Sequence, residues 1–105
     1  VLSCNTREFF FSVVNLVYLP SVEAAKLYAD NSLDYVFLDG DHNYQGIKAD
    51  LTAWYPKLKS GGFFAGHDHE PPFPGVIRAV KEFFEEKNIG YQTNSYPHTW
   101  KMIKP

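Results

Sequence analysis

Cysteine occurs once in these 105 residues, at Cys4, so no disulfide can close within the chain. Nothing therefore marks a stapled, oxidised scaffold; a reducing compartment is the modest expectation, and Cys4 reads as inert. Cationic runs are missing too, because ten Lys and Arg stand against twelve Asp and Glu, for a formal net charge of −2. That excludes the concentrated basic face a phosphate backbone demands, so no nucleic-acid partner is expected. No apolar stretch approaches the roughly 18 residues of a membrane span, and the first residues do not read as a signal peptide. The expectation is a cytoplasmic chain with no membrane partner. Internal repeats and low-complexity tracts are also absent.

What is present is apolar and aromatic: 45% hydrophobic residues and 17% aromatics, enough for the core of one globular domain. The chain opens on Val1, and Cys4-Asn5-Thr6 enters what reads as the middle of a larger pattern, so a fragment of a longer protein is expected.

Periodicity orders the elements. Thr6 can cap a short helix over Arg7 to Val13, although Phe9-Phe10-Phe11 suits a strand nearly as well. Leu16 to Leu19 reads as a strand stopped by Pro20, and Ser21 as the cap of a helix through Tyr28. Leu33 to Leu38 reads as a strand buried on both faces. Helical spacing follows in Tyr44, Ile47, Leu51, Trp54 and Tyr55. Gly62 to Gly66 is the next strand, followed by the stiff loop Glu70-Pro71-Pro72-Phe73-Pro74-Gly75 and a helix from about Val76 to Lys87. Tyr91 to Tyr96 and Thr99 to Ile103 alternate as an antiparallel pair. Strand and helix thus alternate, which predicts an α/β fold with a mainly parallel sheet, helices on both faces and a C-terminal antiparallel hairpin.

Two polar turns stand out. Asp39-Gly40-Asp41-His42 and Gly66-His67-Asp68-His69 each follow a short apolar strand. Ligands of open α/β sheets bind beyond the carboxyl ends of the strands, and adjacent strands lie about 4.8 Å apart. Asp39 and Asp68 would then share a divalent cation, with Mg²⁺ suited to carboxylates and the imidazoles of His42, His67 and His69 shifting the balance toward zinc, manganese or iron. His42 is alternatively a general base, since an ordinary imidazole accepts a proton near neutrality, with Asp41 as its orienting partner. Blander roles compete: Asp39 or Asp41 as a cap for the helix near Tyr44, His67 as a satisfied half-buried histidine, His69 and His98 as surface residues, Ser21 as a helix cap first and a ligand contact second.

Taken together, Leu33 to Tyr44, Asp50-Leu51, Trp54, Leu58-Lys59-Ser60-Gly61-Gly62 and Gly66-His67-Asp68 resemble class I S-adenosylmethionine-dependent methyltransferases, closest to small-molecule O-methyltransferases with a D-G-D-H turn after the fourth strand. The resemblance covers about Leu16 to Lys104. It implies one methyltransferase-like domain over residues 1–105 with a partial Rossmann-like sheet, the family strand order being 3-2-1-4-5-7-6. It also implies S-adenosylmethionine as methyl donor, a divalent cation such as Mg²⁺, and a small hydroxylated acceptor. Under it Asp39 contacts the methyl donor and the cation, Asp68 and His67 complete the metal ligands, His42 is the base, and Ser21 and Val22 line the adenine. The family's glycine-rich turn after the first strand and acidic residue after the second have no counterpart here. That favours a rival reading, a catalytically inactive module that oligomerises through an exposed sheet edge. A metal-dependent hydrolase is a further alternative.

Overall fold

Alternation along two strands decides which way the sheet faces. In the computed structural model, which describes residues 2–4, 14–40, 42–94 and 98–105, β3 (Leu33–Leu38) buries Val36 and Leu38 but leaves the Tyr35 side 54% exposed. The strand is thus buried on one face, not on both as its continuous apolar run implies. β4 (Leu58–Gly66) runs parallel to it, pairing Val36 with Phe64 and Leu38 with Gly66. The chain then closes the sheet with an antiparallel hairpin: β6 (Thr99–Ile103) pairs with β4, and β5 (Gln92–Asn94) pairs with β6.

The resulting order, β3-β4-β6-β5, reproduces the 4-5-7-6 half of the family order. Both the parallel pair and the C-terminal hairpin are there; among the described strands of this sheet the hairpin supplies two of the three ladders. The segment expected as a strand at Leu16 to Leu19 does not join them. Its strand, β2 (Val14–Leu16), lies earlier and pairs antiparallel with β1 (Leu2–Cys4) as a separate two-stranded sheet. Backbone groups need partners, and Leu2–Cys4 provides them locally. The helix expected over Arg7 to Val13 lies outside the described residues.

Three helices cover the face of Val36, Leu38, Phe64, Trp100 and Met102. These are α1 (Ser21–Ala25), α2 (Tyr44–Trp54) and α3 (Pro74–Glu86), with α1 against α2 and α2 against α3. The expectation of helices on both faces is met on this one among the described residues. Aromatic side chains join the layers: Phe84 of α3 meets Phe64 at 6.3 Å and Trp100 at 5.7 Å, and Phe64 meets Trp100 edge-on at 5.1 Å between ring centroids. Such edge-to-face contacts add to simple area burial. No described helix is long and apolar enough to cross a membrane.

Polar contacts fix the helix ends. α3 begins at Pro74, two residues earlier than the apolar spacing indicates, because proline's fixed φ and missing N–H suit a first turn. Pro20, not Ser21, holds the cap position of α1, its carbonyl accepting from Ala24 N–H at 2.9 Å. The Ser21 hydroxyl instead accepts the Trp54 indole N–H at 2.8 Å, tying α1 to the end of α2. Between α2 and α3, the Tyr44 hydroxyl donates to Glu82, Arg78 binds Glu82 at 3.0 Å, and the Arg78 guanidinium lies 4.2 Å over the Tyr44 ring.

Two outcomes follow from this packing. A Cβ at Gly66 would sit 2.4 Å from Nε1 of the fully buried Trp100, so Gly66→Ala should cost about 1–3 kcal/mol of stability. A Cβ added at Gly90 would meet nothing within 4 Å, so Gly90→Ala should change stability by no more than about 0.5 kcal/mol; thermal unfolding of the two variants checks both. The Tyr44 hydrogen bond, then Arg78, holds the Glu82 carboxyl below its ordinary value of 4.5. A carboxyl depressed in the folded state contributes stability above its ordinary value, and that contribution is lost as pH falls through the folded one. Tyr44→Phe should therefore lose less Tm than the parent on acidification below about pH 4.5, as followed by circular dichroism.

Candidate active site

Parallel pairing of β3 and β4 brings the two polar turns side by side. The ladder continues one step beyond the strands, with His67 N–H donating to Leu38 C=O at 3.1 Å. Asp39 and His67 therefore leave the sheet from neighbouring positions. His67 Nδ1 lies 3.1 Å from Asp68 Oδ1 and 3.8 Å from Asp39 Oδ1. One ligand atom from each of the three falls within 4.8 Å of the others. The structure thus brings together Asp39, His67 and Asp68, the residues that the family resemblance implies as metal ligands.

Backbone geometry contributes to it. Asp68 adopts φ 62°, in the left-handed region that Asp tolerates better than most side chains. Glu70 N–H donates to Asp68 C=O at 2.9 Å, so the chain turns sharply away while the carboxylate stays at the strand end. Asp68 is the most enclosed of the group, its side chain 14% exposed against 59% for Asp39.

His42 joins from the first turn. Its Nε2 lies 2.7 Å from Asp68 Oδ2, so one carboxylate holds two imidazoles, His42 on one oxygen and His67 on the other. Asp41, expected as the orienting partner of His42, lies outside the described residues; Asp68, 26 positions further on, is a carboxylate that does orient it. The imidazole also stacks on Phe73, centroids 4.4 Å apart and planes inclined by 23°. Neither contact is visible in local spacing, because both join separate loops.

The competing cap reading falls to Asn43. Its side chain accepts Gly46 N–H at 2.7 Å at the start of α2, which leaves Asp39 free of that duty. Gly40 lies against α2 as well: a Cβ there would lie 3.5 Å from Oδ2 of the buried Asp50. His69, expected on the surface, is half-buried. Burial pushes its imidazole below the ordinary histidine range, and its Nε2 is enclosed. His98 stands 3.3 Å from Glu70 and its carbonyl accepts His69 N–H, pinning the proline-rich loop to the β5–β6 turn. Ser21 and Val22 sit at the start of α1, Ser21 bonded to Trp54 and Val22 exposed.

Comparison with known proteins gives this arrangement a family. Residues 3–69, well over half of the chain, match the family described as Methyltransferase domain. The chain belongs to that family. Uncharacterized protein R132 of Acanthamoeba polyphaga mimivirus is 28% identical over 75 residues, 70% of this chain and 33% of the relative. Uncharacterized protein y4gI of Sinorhizobium fredii is 34% identical over 70 residues, 67% of this chain and 8% of the relative. The chain thus spans a third or less of these curated relatives. In fold it is similar to the O-methyltransferase NovP, with a TM-score of 0.59 and 24% identity over 70% of this chain and 30% of that one. The likeness to NovP agrees with the mixed α/β fold described above.

The capping assignment makes a clean comparison. Asn43→Ala should lower stability by about 1 kcal/mol through loss of the α2 cap, whereas Asp39→Ala, at an exposed side chain that caps nothing, should stay within about 0.5 kcal/mol. Urea unfolding of both variants measures the difference.

Proposed function

We propose that this segment forms the acceptor side of an S-adenosylmethionine-dependent methyltransferase, acting on a hydroxyl of a small substrate with a divalent cation. The observation that carries the reading is the three-donor cluster of Asp39, His67 and Asp68 at the ends of two paired strands, with His42 bonded to the same Asp68. Two carboxylates and one imidazole fit a divalent ion that accepts both oxygen and nitrogen, with manganese, iron and zinc as well suited as magnesium. Bound there, the cation lowers the pKa of a coordinated hydroxyl. S-adenosylmethionine supplies an electrophilic methyl group.

The chain's own residues then do three things. Asp39, His67 and Asp68 would hold the cation. Asp68 Oδ2 accepts the His42 Nε2–H, which fixes the neutral tautomer whose lone pair is on Nδ1. Nδ1 would take the acceptor's proton as its oxygen forms the new carbon–oxygen bond and the methyl–sulfur bond breaks. Ser21 and Val22 would line the adenine; the Ser21 hydroxyl, already accepting from Trp54, retains its O–H to donate. The proline-rich loop walls the acceptor side.

A second reading, a non-catalytic module that self-associates, is favoured by Tyr35 and Ile103, 54% and 65% exposed on the sheet face away from the helices, and by β3 at the end of the sheet order. A hydrolase built on two metals is disfavoured, since the described residues present a single three-donor cluster.

Titration calorimetry with S-adenosylmethionine and its demethylated product, with and without Mg²⁺, separates the first two readings. Metal-dependent heat supports methyl transfer; no heat at millimolar ligand, with light scattering showing a dimer or larger, supports the module. Asp39→Asn should weaken Mn²⁺ binding, read by electron paramagnetic resonance, by at least the roughly 10–100-fold that even outer-shell partners cost.

A further inference from the structure

We propose that Phe73 is a positioning residue: it holds the His42 imidazole against Asp68 and so keeps the other oxygen of that carboxylate directed at His67 and the metal cluster. The inference deepens the reading above and rests on it for its metal-binding arm alone.

His42 needs such a hold. It projects from the loop between β3 and α2 with its side chain 53% exposed, where water competes for its hydrogen bond to Asp68. A single hydrogen bond at Nε2 fixes one edge of the ring but leaves it free to swing about that bond. The stacked Phe73 ring, at 4.4 Å and 23°, supplies the missing restraint by fixing the imidazole plane. Edge and face together leave one orientation.

Phe73 can impose that orientation because its own place is over-determined. Pro72 and Pro74 flank it, its N–H donates to Glu70 C=O at 2.9 Å, and its carbonyl accepts Val76 N–H at 3.1 Å as α3 begins. Two residues on, Gly75 packs so closely on the first turn that a Cβ would lie 2.7 Å from Tyr44 N and 3.2 Å from His42 O. The loop carrying Phe73 is therefore seated on the backbone carrying His42. At its other end Glu70 meets His98 at 3.3 Å, so the loop is held from both sides.

The consequence passes through Asp68. With Oδ2 taken by His42 at 2.7 Å, Oδ1 remains toward His67 Nδ1 at 3.1 Å. Without the stack, His42 leaves that bond part of the time and the carboxylate is free to rotate, so the donor cluster loses its set geometry.

The test uses Phe73→Leu, which fills the volume without a ring, Phe73→Trp, which keeps one, and His42→Ala alone and combined with Phe73→Leu, with circular dichroism confirming that each folds. By proton NMR the His42 ring resonances should move downfield in Phe73→Leu as ring shielding is lost, and stay shielded in Phe73→Trp. By Mn²⁺ titration Phe73→Leu should weaken binding by about 10-fold or more, within the range of outer-shell partners, and Phe73→Trp should restore it. In the His42→Ala background, Phe73→Leu should have no further effect on affinity, a non-additivity that a merely structural role would not produce. Unchanged His42 resonances, or equal losses of affinity with and without His42, would overturn the proposal. If the parent chain binds no Mn²⁺, the metal reading fails by itself, and the NMR comparison alone decides whether Phe73 positions His42.

Discussion

The parallel ladder between β3 and β4 is the constraint on which the rest depends. Its register, Leu38 opposite Gly66 and then His67 N–H on Leu38 C=O, ends both strands at the same height. A slip of one residue would turn Val36, Leu38 and Phe64 out of the core, so the same burial that stabilises the sheet fixes where Asp39 and His67 emerge. Gly66 is part of this arrangement, because the buried Trp100 indole occupies the space where a side chain would be. Core packing and site geometry are one problem here.

Once the strands are fixed, Asp68 carries an unusual share of the polar work. It sits at a left-handed backbone position, turns the chain toward the proline-rich loop, and offers one oxygen to each of two histidines. A carboxylate used on both sides is restrained from both sides, and restraint is what a multidentate site requires of its ligands. The loop after it continues the same logic: Phe73 lies on His42, Gly75 on the backbone of residues 42 and 44, and α3 anchors the whole through Val76, Val80 and Phe84 in the core.

The sequence was most informative where one element speaks for itself. The stripe of Tyr44, Ile47, Leu51 and Trp54 is helix α2 with three of those four buried, and both polar turns lie at strand ends as their setting implies. What could not be read depends on contacts between segments. Unbroken apolar character in Tyr35 to Leu38 implies burial on two faces, yet what covers each face is decided by other elements, and Tyr35 stacks on Phe63 at 5.3 Å while remaining half-exposed. Asn43 takes the cap duty weighed for Asp39, because α2 begins at Tyr44 and its cap is the residue immediately before it, four positions past Asp39. The bond from His42 to Asp68 spans 26 residues and depends on the ladder that brings the two turns side by side.

The one-sided sheet bears on how far the site depends on anything else. Among the described residues, the contacts that shape the cluster of Asp39, His42, His67 and Asp68 come mainly from β3, β4, α2, α3 and the loops joining them, namely the ladder, the Asn43 cap, the Tyr44–Glu82–Arg78 bridge and the seat of Gly75, with His98 before β6 holding Glu70 from the other side. The opposite face, with Tyr35, Phe63 and Ile103, supplies none of them. Cover for that face, whether more chain or a second copy, would therefore add stability by burying apolar surface without being needed to set the distances among Asp39, His42, His67 and Asp68. The geometry of Asp39, His42, His67 and Asp68 is built into this segment; on the proposed reading, any additional element would need only to bring the methyl donor to it.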